Sequence, residues 1–215
     1  MRFEEWKPLY LEILKDFNFS QYEDEVAARV LCSLLESRDD NLSLEELSNL
    51  IEGRDVLICG NAPRLAVDLV EVRSKFDLED VVVIAADGAT TVLLNAGIIP
   101  SIIVTDLDGT VSDIILANEK GSVVVVHAHG DNMGALKEYV PQLSNILGTT
   151  QSRPFGSIYN FGGFTDGDRC VFLAQHFKAE SIKLIGFDYD DPYVSFKKKM
   201  KLKWARRLIY MELGL

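Results

Sequence analysis

From residue 55 onward the chain repeats one pattern, a short apolar run that ends in a polar loop. The runs are DVLICG (55–60), VVVIAADGA (81–89), SIIVTDLDG (101–109), SVVVVHAHGDN (122–132) and SIKLIGFDYDD (181–191). Segments near 146–151 and 157–161 add two shorter candidates. Between most of them lie stretches of helical character, such as LAVDLVEVRSKF and MGALKEYVPQL. A strand covered on both faces loses the polar alternation of a surface strand, and strands that alternate with helices build a parallel sheet. The pattern predicts a doubly wound, mostly parallel α/β sheet over residues 53–215.

The first 52 residues read differently. In FEEWKPLYLEILKDF (3–17), Trp6, Leu9, Tyr10, Ile13, Leu14 and Phe17 recur at helical spacing. A second helix is predicted over about 22–37, with Val26, Val30, Leu31, Leu34 and Leu35 as its apolar stripe. A third follows Ser43, where S-L-E-E has the form of a capping box. Residues 1–52 are therefore expected to form an N-terminal helical region beside an α/β domain over residues 53–215. The Met, Leu and aromatic positions of this region read as core or subunit interface, and Trp6 and Tyr10, taken as exposed aromatics of the first helix, leave a homo-oligomer open.

Composition narrows the picture. The 215 residues are 47% hydrophobic and 26% charged, enough for one α/β domain with a full core. No apolar run approaches the ~20 residues of a membrane helix, and MRFEEWKPLY is no secretory signal, so a cytoplasmic protein without a membrane role is expected. Cys32, Cys59 and Cys170 form no C-x-x-C and read as reduced core thiols. A net charge of −11 excludes a nucleic-acid partner, whose phosphates need a basic face. Residues 196–215 nevertheless carry seven cations against Glu212 alone, about +6, which leaves about −17 on the first 195 residues. That run is either a solvated helix face or a cluster that meets a polyphosphate.

Candidate chemistry sits where the strands end. The loops beyond the carboxyl ends of an open α/β sheet form its ligand crevice, so Asp87, Asp106, Asp108 and Asp131, with Asp188, should converge there. Carboxylates so crowded repel one another unless a cation lies between them, which points to Mg²⁺. TDLDGT (105–110) also opens haloacid dehalogenase-type phosphatases, with Asp106 as nucleophile and Asp108 as acid/base. That reading leaves two upstream strand-loop units idle and lacks a well-placed later lysine. HAHGDN (127–132) invites a zinc reading, but Asn132 stands where a third histidine would be needed; His127 and His129 face one way and suit the core or the substrate. GNAPRL (60–65) could present the backbone of Gly60 and Asn61 to phosphate, or could be a tight turn. GGFTDGDR (162–169) is the stronger loop, with Arg169 able to grip phosphate or carboxylate in two-point fashion.

Taken in order, these segments resemble a family. AADGATTVLLNAGIIPSIIVTDLDG resembles the core of thiamin pyrophosphokinases. Over nearly its whole length the chain resembles the archaeal 6-hydroxymethyl-7,8-dihydropterin pyrophosphokinase family, through EEWKPLYLEIL, DEVAARVL, GNAP, ADGA, TDLDG, HAHGDN, GTTQ, GGFTDGDR and IGFDYD. Arg64 departs from the serine expected there, which leaves the role of that side chain open. The resemblance implies a Rossmannoid, thiamin pyrophosphokinase-like fold. It also implies transfer of a diphosphoryl group from ATP, as co-substrate, to the hydroxymethyl group of the pterin, with Mg²⁺ and release of AMP, in tetrahydromethanopterin- or folate-type pterin biosynthesis.

On that resemblance Asp106, Asp108 and Asp131 are the metal-holding and catalytic acids. Gly60, Asn61, Arg169, Lys197, Lys198 and Lys199 meet ATP or phosphate. Asp87, Gly88, His127, His129, Asn132, Thr165, Asp166 and Asp168 are the substrate-side candidates. A phosphatase using Asp106, a thiamin pyrophosphokinase, a sugar-nucleotide transferase and a binding module are the alternatives.

Overall fold

A computed structural model describes residues 1–75, 77–78 and 80–215. Among the described residues seven strands, β1 (Asp55–Cys59), β2 (Val82–Ala86), β3 (Ile102–Thr105), β4 (Val123–Ala128), β5 (Ile146–Thr150), β6 (Ile158–Tyr159) and β7 (Ser181–Ile185), make one sheet in the order β6-β5-β4-β3-β2-β1-β7. Every pairing in it is parallel. The mixed element in the expectation is thus absent from the described strands, and the α/β class holds. Each predicted strand forms, and the register sets Val56 of β1 opposite both Val82 and Ile182, next to the β7 edge.

Strand order decides where the helices go. From β1 to β6 the chain steps outward one strand at a time. The connecting helices α4 (Leu65–Arg73), α5 (Ala89–Asn95), α6 (Val111–Glu119) and α7 (Met133–Tyr139) therefore cover one face. The helix expected over LAVDLVEVRSKF ends at Arg73, and Phe76 of that expectation lies outside the described residues. In MGALKEYVPQL, Pro141 lacks the N–H that would continue α7, and the chain finishes in a 3₁₀ turn over Val140–Gln142. The return from β6 to β7 crosses the opposite face through α8 (Asp166–His176), and α9 (Phe196–Leu213) closes the chain.

The two sheet faces bury alternate residues of the same strands, as a period of two requires. Leu57, Val83, Ile103 and Val124 meet α4–α7 on one side, whereas Ile58, Val82, Ile102 and Val125 meet α8 on the other. The helices α1 (Phe3–Phe17), α2 (Gln21–Glu36) and α3 (Leu44–Ile51) each join a different layer. Ala27, Ala28, Leu31 and Leu35 of α2 enter the first core, and Leu47 and Ile51 of α3 enter the second. The capping box expected at Ser43 is formed, Glu46 returning the bond to the Ser43 backbone at 2.8 Å.

One expectation is corrected by α1. Trp6 and Tyr10 are 0% and 1% exposed, so neither offers a surface to a second chain. They pack with Ile13 and Leu14 against Phe172 of α8 and Trp204 and Leu208 of α9. The cause is α8, which is apolar on both sides and needs an outer layer. Each buried aromatic places its polar atom on a partner, Trp6 Nε1 on the Gln151 carbonyl at 2.8 Å and Tyr10 Oη on Asp24 at 2.7 Å. Cys32, Cys59 and Cys170 are free, buried thiols, in line with their reading as core residues.

Candidate active site

Asp87 leaves the end of β2, and Asp106 and Asp108 leave the end of the neighbouring β3. One oxygen of each carboxylate lies within 4.8 Å of the other two. Thr105 ties the two loops together, because its buried hydroxyl donates to Asp87 Oδ1 and accepts the Leu107 N–H at 2.8 Å. Asp87 and Leu107 both adopt left-handed backbone, with φ of 39° and 65°. Such conformations cost about 1–3 kcal/mol each outside glycine, and they concentrate where a site needs a particular aim. Gly109 completes the turn, since a β-carbon there would collide with the Asp87 carboxylate.

The three acids have unequal environments. Burial pushes the Asp87 carboxyl up to about 6, against the Thr105 bond and with the charges of Asp106 and Asp108 adding to the rise. Burial acts on Asp106 in the same sense, but the His129 bond and the positive charge of Arg169 outweigh it and hold that carboxyl down to about 2. Asp108 is raised, by burial and by Asp106. Three carboxylates this close do not all ionise freely without a cation. Asp106 Oδ1 is buried without a partner, and the group offers hard oxygen donors of the kind Mg²⁺ takes. The residues fit such an ion.

The loop after β4 braces this group from the side. His129 Nδ1 accepts the Asp131 N–H at 3.3 Å, so Nε2 carries the proton and donates it to Asp106 Oδ2 at 3.0 Å. Asn132 is buried and donates to the carbonyls of Asp106 and His127 at 2.8 and 2.7 Å, while its oxygen accepts from His129 N–H. It joins the ends of β3 and β4. Asp131 is exposed and lies outside the carboxylate group, whereas Asp87 lies inside it. His127 is buried beneath, donating Nδ1–H to Thr149 Oγ1 at 3.1 Å, and Nε2 has no partner. Its ring and that of His129 are 6.3 Å apart, on one side of the strand end. Burial and the nearby Arg169 hold His127 well below the usual histidine range, so it is neutral.

The segment GGFTDGDR forms the start of α8. Asp168 accepts from the backbone of Phe164 and Thr165 and from Thr165 Oγ1 at 2.7 Å, making a capping box at its buried position. Its carboxylate is thereby turned to the helix end rather than to the cleft. Asp166 pairs with Arg169 at 2.9 Å, and Arg169 Nε remains buried without a partner.

A cavity of about 450 Å³ gathers Gly60, Asn61, Asp87, Gly88, Asp106, Asp108, Thr165, Asp166, Arg169, Asp188 and Lys198. Lys197 lies 5.2 Å over the Phe19 ring, and Lys197 and Lys199 do not line this cavity. The basic run contributes instead through Lys198 and Lys201, three apart on one face of α9. Burial and Arg169 lower the Lys201 ammonium, which also lies 5.9 Å over the Phe164 ring. The i, i+3 spacing within the run was the signal for Lys201. A second, smaller cavity of about 40 Å³ shares Asp106, Phe164, Arg169 and Lys201 with the first and adds His129, Asp131, Asp24 and Gln151. Asp24 opens DEVAARVL and Gln151 closes GTTQ, two segments of the resemblance, but neither segment pointed to a chemistry of its own. Their sequence neighbours are an amphipathic helix and a strand end.

The family profile MptE-like, described as 6-hydroxymethylpterin diphosphokinase MptE-like, matches residues 32–193. A Pyrococcus furiosus protein named 6-hydroxymethyl-7,8-dihydropterin pyrophosphokinase is 43% identical over 97% of this chain and 93% of its own length. A Methanothermobacter thermautotrophicus protein of the same name is also 43% identical, over 97% of this chain and 94% of its own. The Methanocaldococcus jannaschii protein of that name is 40% identical, over 88% and 80%. Among solved structures, the MAf glycosyltransferase from Magnetospirillum magneticum AMB-1 superposes with a TM-score of 0.56 at 16% identity. The match covers 91% of this chain and 35% of the glycosyltransferase, so the chain spans about a third of that protein. This likeness is one of fold.

No described helix is long and apolar enough to cross a membrane.

Proposed function

The chain belongs to the MptE-like 6-hydroxymethylpterin diphosphokinase family, and from that premise we propose that it transfers a diphosphoryl group from ATP to the hydroxymethyl group of 6-hydroxymethyl-7,8-dihydropterin, releasing AMP. The observation that carries the reading is the group Asp87, Asp106 and Asp108, set in the wall of a 450 Å³ cavity that also holds Arg169, Lys198 and Lys201. Acids able to hold a divalent cation, opposite cations able to meet phosphate, suit a reaction that is mainly positioning and charge neutralisation.

In this reading ATP occupies the larger cavity. Its triphosphate passes the backbone of Gly60, Asn61 and Gly88 and reaches the carboxylates at the ends of β2 and β3. Mg²⁺ held by Asp106, Asp108 and Asp87 would neutralise the charge on the transferring group. The substrate hydroxyl oxygen attacks the β-phosphorus and gives its proton to water, a new O–P bond forms, and the bond from the β-phosphorus to the oxygen of the α-phosphate breaks. AMP leaves with that oxygen. Arg169, anchored by Asp166 at 2.9 Å, and Lys201 offset the charge that develops there. His129 and Asn132 keep Asp106 aimed. No bond to an enzyme side chain is made, so Asp106 acts as a holder of charge rather than as a nucleophile. The product would feed tetrahydromethanopterin- or folate-type pterin biosynthesis in the cytoplasm.

Incubation with ATP, Mg²⁺ and the hydroxymethyl dihydropterin should yield equal amounts of AMP and diphosphorylated pterin, and thiamin in its place should yield neither. Formation of ADP, or of free phosphate without a pterin product, would overturn the reading.

A further inference from the structure

The smaller cavity opens beside the carboxylate group, and Asp24 and Gln151 within it have no part in the steps above. Asp24 lies in the first turn of α2 and is 3% exposed; Gln151 follows β5 and is 4% exposed. The Asp24 carboxylate accepts from Tyr10 Oη at 2.7 Å, Gln151 Nε2 at 2.8 Å and the Gly130 N–H at 2.9 Å. A carboxylate has about four acceptor positions, so one stays open, on Oδ1. Because Gln151 gives its Nε2 to the carboxylate, its Oε1 is fixed as the other amide atom, and that atom is buried without a partner. Leaving a buried acceptor unpaired costs about 1–3 kcal/mol, which a donor arriving from a ligand would recover.

The surroundings specify the kind of ligand. Four acids, Glu23, Asp24, Asp106 and Asp131, line the cavity against the two cations Arg169 and Lys201, so the balance disfavours an anion there, and Phe19 and Phe164 supply apolar walls. A space of about 40 Å³ encloses the edge of a flat ring and leaves its body at the rim. Two open acceptors on side chains that are themselves joined by a hydrogen bond, Gln151 Nε2 to Asp24 Oδ2 at 2.8 Å, match a neutral heteroaromatic ring with two adjacent donors.

We propose that Asp24 and Gln151 read the donor edge of the acceptor ring, the N3–H and 2-amino group of the dihydropterin. The proposal rests on the reaction put forward above and names its specificity determinants. The wall shared by the two cavities, Asp106, Phe164, Arg169 and Lys201, then lies between the ring and the triphosphate, where the hydroxymethyl group must be. An aminopyrimidine edge, with a donor beside an acceptor, leaves one of the two protein acceptors unmatched.

The test compares the dihydropterin with its lumazine analogue, in which an oxo group replaces the 2-amino group. A site built on hydrogen bonds to a substrate rejects the mismatched analogue strongly, so wild type should prefer the pterin by at least about 100-fold in kcat/KM. Asp24→Asn, whose carboxamide can donate to the 2-oxo group, should raise the KM for the pterin about tenfold or more and shrink the preference by a similar factor. The KM for ATP should stay within about twofold, since that site is the other cavity. Should Asp24→Asn fail to fold, Gln151→Leu, which removes the second acceptor, should show the same split between the two KM values. An unchanged preference in a folded variant with an active wild type overturns this proposal alone. Failure of wild type to release AMP with the pterin overturns the reaction itself, and the proposal with it.

Discussion

At the scale of single residues, the two acids of TDLDGT differ from the threonine that follows them. Thr110 is exposed and makes no side-chain cap on α6, whereas Asp108 lies within 4.8 Å of both other carboxylates. Thr110→Ala should therefore keep kcat/KM within about twofold, and Asp108→Asn should lower it by at least about 100-fold, as AMP release measures. His127 supports a prediction about pH. An unfolded histidine takes up a proton near pH 6.5, whereas burial and Arg169 keep His127 neutral far below that. The unfolded state then binds more protons below pH 6.5, so the stability tied to neutral His127 is full above that pH and is lost as pH falls towards the folded value. The slope for one such group is about 1.4 kcal/mol per pH unit. His127→Gln removes it, and urea titrations at pH 7.5 and 5.5 should show the advantage of wild type over the variant shrinking by about 1 kcal/mol. A constant difference would mean that the folded protein protonates His127.

At the scale of elements, the start of α8 decides where Arg169 stands. Gly163 has φ of 91°, and a β-carbon on it would lie 2.8 Å from Arg169 Cα and 2.9 Å from its nitrogen. Those are backbone atoms of a capped helix, so neither side can yield cheaply. Gly163→Ala combines left-handed strain of about 1 kcal/mol with overpacking of about 1–3 kcal/mol. It should also lower kcat, because the Asp166–Arg169 pair moves with the turn. Gly214, with φ of 69° and no atom within 4 Å of its would-be β-carbon, is the control. Gly214→Ala should cost only the strain and leave kcat unchanged; equal losses from the two changes would refute the steric account. Elements were the most legible part of the sequence. Runs such as VVVIAA, with no polar alternation, could only be strands covered twice, and S-L-E-E could bond back on itself only at a helix start.

At the scale of the whole molecule, legibility falls wherever a contact joins distant segments. The acids at strand ends could be foreseen because parallel topology sends every carboxyl end to one edge. Helical spacing told that Trp6 and Tyr10 face something apolar, but it could not tell α8 of the same chain from a second chain. Asp24 and Gln151 stand 127 residues apart and meet only through packing of α2 on β5, so their places in DEVAARVL and GTTQ gave no sign that they share one site. The arrangement of charge was partly legible: a chain of net charge −11 concentrates acids at that edge and lays a basic helix across it. This arrangement sets function against stability. Burial raises Asp87 and Asp108, and the charge of the neighbouring Asp106 adds to the rise in each, so the carboxylates repel one another when no cation is bound. Removing one of them should relieve that repulsion and, in the same stroke, weaken the hold on Mg²⁺. In chelator, Asp108→Asn should therefore melt above wild type. Saturating Mg²⁺ at constant ionic strength should reverse the order, since a ligand at about 100 times its Kd adds about 2.7 kcal/mol, or roughly 5–11 °C for a domain of this size. Matching NaCl for MgCl₂ separates specific binding from screening, which would raise both proteins alike. Curves that keep their order with and without Mg²⁺ would rule out a metal held by these acids, whatever the assay of turnover returned.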